Sequence, residues 1–98
     1  MTRRYAARTD VNQRGLVDLL RACGCVVEVI SDVGRGVPDL LCLYRGVIFL
    51  VEIKDGNQPP SRQSLTAAER AFHLAWDGAP IYIINSDETA MQMLAEMQ

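Results

Sequence analysis

Lysine is nearly missing from this 98-residue chain: of its ten basic side chains nine are arginine, and Lys54 stands alone. A lone lysine inside an apolar stretch calls for a partner or a purpose, because burying an unpaired ammonium is costly. Other absences narrow the field. No run of about 18 apolar residues occurs, so no membrane span is expected. No apolar leader-like segment follows Arg3 and Arg4, so secretion is not expected and a cytoplasmic location is. Cysteine is sparse and odd in number. Cys23, Cys25 and Cys42 lie among apolar neighbours, as reduced thiols of a cytosolic protein do. Cys23-Gly24-Cys25 lacks the second pair that a structural zinc site requires. No helix-turn-helix pattern or finger spacing is present, which excludes the common sequence-reading modules.

What remains is ordinary globular material: 49% hydrophobic, 22% charged, mean hydropathy +0.04. Such a composition argues against disorder over most of the chain, and the length suits one domain, residues 1–98. The net charge of −2 weighs against a purely electrostatic polyanion binder. Its distribution is lopsided, however. Arg3, Arg4, Arg8, Arg14 and Arg21 crowd the first segment, while beyond Arg70 there is no lysine or arginine and Asp77, Asp87, Glu88 and Glu96 follow. One end is therefore suited to face a polyanion, with a solvated basic terminus as the plainer alternative.

Residues 1–8 read as a loosely ordered basic arm. Asp10 to about Ala22 reads as an amphipathic helix with Leu16, Val17, Leu20 and Cys23 on its stripe, and Asp10 and Gln13 have capping-box spacing. A short strand, Cys25 to Ile30, and a glycine-containing loop follow. The apolar runs Asp39–Tyr44 and Val47–Lys54 flank Arg45-Gly46, a tight hairpin turn, and their composition predicts central strands covered on both faces. Residues 55–64 are polar, hold Pro59-Pro60, and are expected to form a mobile flap. A second helix is capped by Thr66 and Glu69, with Ala68, Phe72 and Trp76 as packing stripe. A strand at Pro80–Ile84 precedes a last helix capped by Ser86, with Ala90, Met91, Leu94 and Met97 facing inward. The order α-β-β-β-α-β-α predicts an α/β fold: a mixed central sheet of about four strands flanked by helices.

The chemistry concentrates around the hairpin. A tight turn at Arg45-Gly46 sets residues 39 and 52 opposite each other, with Cβ atoms about 5 Å apart if they share a face. Two carboxylates so placed repel unless a cation joins them. Carboxylates, the Ile53 carbonyl and waters favour Mg²⁺ or Mn²⁺ over zinc. Lys54 leaves the same face as Glu52, two residues on, where its charge can orient water or neutralise a phosphorane. Taken alone, Glu52 and Lys54 also fit a solvent-facing ion pair.

The chain resembles the virus-type replication-repair nuclease domain, in its small stand-alone phage and bacterial form, within the PD-(D/E)XK nuclease superfamily. The resemblance rests on Asp10-Val11-Asn12-Gln13, Gly34-Arg35-Gly36-Val37-Pro38-Asp39, Val51-Glu52-Ile53-Lys54 and Leu65-Thr66-Ala67-Ala68-Glu69. It implies a restriction-endonuclease-like core and a catalytic set of Asp39, Glu52 and Lys54, joined by Asp10 and Gln13. Metal would be held by Asp39, Glu52, the Ile53 carbonyl and Asp10, the last alternatively a helix cap. Thr66 and Glu69 stand where the family usually has serine and glutamine, and a capping box explains them as well. His73 is a candidate general base or a surface residue. Arg35, Arg62, Gln63, Arg8 and Arg4 are candidate contacts to a nucleic-acid backbone. The implied function is a metal-dependent endonuclease for DNA, structure-specific in the manner of junction resolvases, acting as a homodimer in recombination or repair. A flap or nicking nuclease, a subunit of a larger repair or packaging machine, and a catalytically weak binding module are the alternatives.

Overall fold

A computed structural model describes the backbone from residue 3 onward and side chains from residue 12 onward. Helix α1 spans Arg3–Ala22, strand β1 Val26–Val29, β2 Leu40–Tyr44 and β3 Val47–Ile53. Helices α2 (Pro60–Gln63) and α3 (Ala67–Ala75) precede β4 (Ile81–Ile84) and α4 (Asp87–Glu96). The expected order holds, with two short additions: α2 and a single 3₁₀ turn at Ser31–Val33. The sheet runs β1-β2-β3-β4, antiparallel across the first three strands and parallel between β3 and β4.

The β2–β3 hairpin is fixed by its turn. Arg45 and Gly46 both take positive φ, 52° and 82°, as in the turn whose twist matches that of paired strands. The register pairs Leu40 with Val51 and Cys42 with Phe49. With side chains alternating between faces, Leu40, Cys42, Phe49 and Val51 all point to one side. There they join Val27, Ile84, Leu16, Val17 and Leu20 of α1, and Ala90, Met93 and Leu94 of α4 in the core. Tyr82 meets Phe49 edge to face at 5.7 Å.

Several expectations give way. The two apolar strands are not covered on both faces: Leu41, Leu43 and Ile48, with Val26 of β1, point away from the core, and Ile48 is 66% exposed. Composition alone cannot tell a strand covered twice from one whose outer face is apolar and open. Helix α1 begins at Arg3, so Asp10 lies within it and is not its N-cap, and residues 3–8 continue the helix instead of forming an arm. The segment 55–64 holds α2 and is fastened to the end of β4. Gln63 receives the Asn85 amide at 2.8 Å and gives its own to the Gln58 carbonyl at 2.7 Å. Helix α3 contributes no fully buried residue; Phe72 and Trp76 stack on each other at 5.2 Å at the periphery. In α4 the inner position belongs to Met93, and Met91 is exposed. Cys25 and Cys42 are buried free thiols, and burial pushes Cys42 up to about 12, far from a reactive thiolate.

Candidate active site

The site lies at the end of β3, on the face opposite the core. The register carried one step past Leu40–Val51 sets Asp39 opposite Glu52. Pro38, buried and without an N–H, begins the approach to β2. The Ile53 N–H, which would otherwise lose its ladder partner there, donates to Asp39 Oδ2 at 2.8 Å. N–H and C=O of one strand residue leave by the same edge, so the Ile53 carbonyl also points toward Asp39.

Glu52 follows Val51 and points to the other side of the sheet. It is only 4% exposed, and its Oε1 has no hydrogen-bond partner. Burial first, then the charges of Asp39 and Glu69, push its carboxyl up to about 9, with the Lys54 ammonium opposing. Burial likewise raises Asp39. The Ile53 N–H and the Glu52 carboxyl pull it down, Glu69 adds repulsion and Lys54 relieves it. Left to themselves, these two carboxyls do not both ionise at neutral pH.

Lys54 shares the Glu52 face, two residues on. Its Nζ donates to Glu69 Oε1 at 2.7 Å, with the two side chains 12% and 16% exposed. That oxygen also accepts the Thr66 N–H at 2.9 Å, while Thr66 Oγ1 accepts the Glu69 N–H at 3.1 Å, so the capping box is complete. Burial opposes ionisation of Glu69, but the Lys54 and Thr66 hydrogen bonds outweigh it and hold the carboxyl below its usual range. Gly36 is the reason this helix lies so near. At φ 82°, its α-carbon presses on the first turn of α3, where a Cβ would come 2.2 Å from the Ala68 carbonyl oxygen. Only glycine fits, and the contact brings the Asp39 turn and Glu69 together.

The remaining candidates are placed as follows. Gln13 is buried and borders a groove with Arg14, Val17, Asp18, Arg21 and Val29. Its neighbour Asn12 donates to the Lys54 carbonyl at 3.4 Å. Asn12 lay in the quoted first motif, but on sequence it had no reason to be preferred over Gln13. The side chains of Asp10, Arg4 and Arg8 lie outside the described residues. Arg35 is exposed in the turn before Asp39, at φ 56°. Arg62 is exposed on α2, and Gln63 spends its amide on the Gln58 carbonyl and the Asn85 amide. His73 sits one turn beyond Glu69, half-buried, with Nε2 enclosed and unpartnered.

Among the described residues no three acidic, histidine or cysteine side chains converge into a ready-made metal cage. The donor set that exists is two carboxylates and a main-chain carbonyl. The orphaned Glu52 oxygen fits a hard cation that completes its shell with water.

A solved structure described as a VRR_NUC domain is 30% identical to this chain, covers 88% of it and 92% of its own length, and superposes with a TM-score of 0.66. The chain belongs to the VRR_NUC family. No family model and no curated protein matches it. VRR_NUC membership makes this chain a nuclease domain of the PD-(D/E)XK type, a hydrolase. Asp39, Glu52 and Lys54 are the residues that the hairpin and α3 gather. The VRR_NUC fold here has no helix long and apolar enough to cross a membrane among the described residues.

Proposed function

We propose that this VRR_NUC domain is a Mg²⁺- or Mn²⁺-dependent endonuclease that hydrolyses DNA phosphodiesters at Asp39, Glu52 and Lys54. The observation that carries the reading is the buried Glu52 carboxyl with an unclaimed oxygen beside Asp39. A buried acid in that condition is unfavourable unless a cation is its partner. The bound ion would be held by Asp39, Glu52 and the Ile53 carbonyl; it would lower the pKa of a bound water and polarise the phosphoryl oxygen. The protein's own part is positional. The Ile53 N–H fixes the Asp39 carboxylate, and Asn12 and the Ile84 carbonyl tie down the backbone of Lys54. Lys54 then presents a positive charge on this face, to orient the water and to neutralise charge gathering on the phosphorane. Direct attack by water needs no covalent intermediate, and the buried Cys25 and Cys42 are not nucleophiles.

The substrate is branched DNA and the active species a homodimer. The open sheet face supports the second part. Val26, Leu43 and Ile48 form one exposed cross-strand row, Leu41 and Ile83 extend it, and Glu28 is the acid at its edge. Contiguous apolar patches of this kind mark association surfaces. A two-fold pair would set two sites to cut both sides of a symmetric junction. The arginines of α1 and exposed Arg35 and Arg62 would contact phosphates, which position the duplex without reading sequence.

The test is cleavage of end-labelled four-way junction, flap and matched duplex in Mg²⁺, Mn²⁺ or EDTA, with Asp39→Asn alongside. Paired, metal-dependent cuts in the junction that the variant abolishes support the proposal. Absence of cleavage of every substrate by the wild type overturns it.

A further inference from the structure

Resting on the reading above, we propose that Glu69 is a positioning residue that holds Lys54 in its resting place and yields it to the scissile phosphate. Lys54 is not waiting free. Its ammonium is bound at 2.7 Å to a carboxylate that is itself locked in place. The lock has three parts. Glu69 Oε1 accepts the Thr66 N–H, Thr66 Oγ1 accepts the Glu69 N–H, and the Gly36 backbone lies against Ala68 and Glu69 from below. The carboxylate therefore cannot follow Lys54 if the ammonium swings toward a substrate.

Glutamate at this place has an electrostatic consequence. With Asp39 and Glu52 ionised around a divalent cation, the Lys54–Glu69 pair adds no net charge, whereas a neutral side chain at 69 would leave the site one unit more positive. Both partners are largely shielded from water, so the competition between carboxylate and phosphate for one ammonium is felt strongly. A phosphate already held by the metal presents its remaining non-bridging oxygen at a fixed place beside Lys54 and can win the exchange. A loosely apposed phosphate cannot. Glu69 thus raises the requirement for a backbone pressed deep into the site, which favours deformable, branched or unpaired DNA over straight duplex.

Glu69→Gln isolates the claim, because glutamine keeps the shape and the acceptor for the Thr66 N–H while removing the charge. Lys54 is the only lysine, so its reductive methylation, followed by mass spectrometry of the peptide that contains it, and the NMR signals of its ε-methylene group report on one side chain. In metal-loaded protein without DNA, Lys54 of the wild type is expected to methylate about tenfold more slowly than that of the variant. Duplex DNA, measured with Ca²⁺ in place of Mg²⁺, is expected to bind the variant about tenfold more tightly, with the preference for junction over duplex reduced. In steady-state cleavage the change falls on KM and little on kcat. Equal methylation and equal DNA affinity in a wild type that cuts DNA would overturn this proposal alone. A wild type that cuts nothing would overturn the nuclease reading instead. Mg²⁺ binding lost from the variant as completely as from Asp39→Asn would make Glu69 a metal ligand and also overturn it. Should the variant not fold, the wild type still decides. On adding junction DNA the Lys54 ε-methylene signal must move while the Thr66 and Glu69 amide signals stay, and a Lys54 signal that does not move is contrary.

Discussion

The buried Glu52 carboxyl makes the metal-free protein a pH sensor, and the sign is determined by its environment. Its pKa in the folded chain is pushed up to about 9, chiefly by burial and then by Asp39 and Glu69. In the unfolded chain it returns to the ordinary glutamate range near 4. A raised folded pKa means that the native state holds the proton more tightly. Its stabilising contribution is complete below the unfolded pKa and is lost as pH rises toward 9. Asp39, also raised, acts in the same direction; Glu69, lowered, acts oppositely and only at acid pH. One proton retained on folding corresponds to a slope of at most about 1.4 kcal/mol per pH unit. For a domain of this size that is a fall in Tm on the order of 5–10 °C per unit. The assay is thermal unfolding in EDTA from pH 5.5 to 8.5, with wild type beside Glu52→Gln. The wild-type Tm is expected to fall across the range and the variant's to fall less, keeping only the share that Asp39 supplies. Mg²⁺ should restore the wild type, more at pH 8.5 than at 5.5, and leave the variant unmoved. A wild-type Tm that is flat or rises with pH in EDTA would refute the reasoning.

Other outcomes follow from the same geometry. Gly36→Ala forces a Cβ onto the Ala68 carbonyl at a φ that L-residues avoid; a loss on the order of 3 kcal/mol by chemical denaturation is expected, together with loss of cleavage. Thr66→Ala removes the hydroxyl half of the α3 cap and should lower stability by about 1 kcal/mol, read as a Tm drop of about 4–8 °C. Ile48→Lys places a charge at the centre of the open sheet face. By light scattering the wild type should be a dimer and the variant a well-folded monomer; a monomeric wild type, or a variant of unchanged mass, would contradict the proposed dimer face.

The parts of this molecule that were legible in the sequence share a property: each is set by a local rule. Arg45-Gly46 dictates a two-residue turn, the turn dictates the register, and the register puts Asp39 opposite Glu52 without further information. Period-two alternation then puts Lys54 beside Glu52. The capping box at Thr66 and the cap at Ser86 are likewise short-range signals, and both formed. What stayed hidden depends on where elements come to rest. Nothing in the apolar strands says that only one end of their second face is covered by α3. The start of α1 was misplaced because Arg3–Thr9 carries no apolar stripe to announce a helix. Met91 and Met93 are alike in chemistry, and only the rotation of α4 distinguishes them. The Lys54–Glu69 contact joins residues fifteen apart across a turn and α2. Each partner had a sufficient local explanation, and neither explanation pointed to the other.

The central claim is that Asp39 and Glu52 together form the seat of one divalent cation. Titration calorimetry with Mn²⁺ at pH 7.5 addresses it directly, comparing wild type with Asp39→Asn and Glu52→Gln after each variant's fold has been verified by circular dichroism. Saturable binding in the wild type, weakened at least tenfold by either substitution and accompanied by proton release, is the predicted result. Mn²⁺ binding that survives in both variants, or that is absent from the wild type, would contradict it.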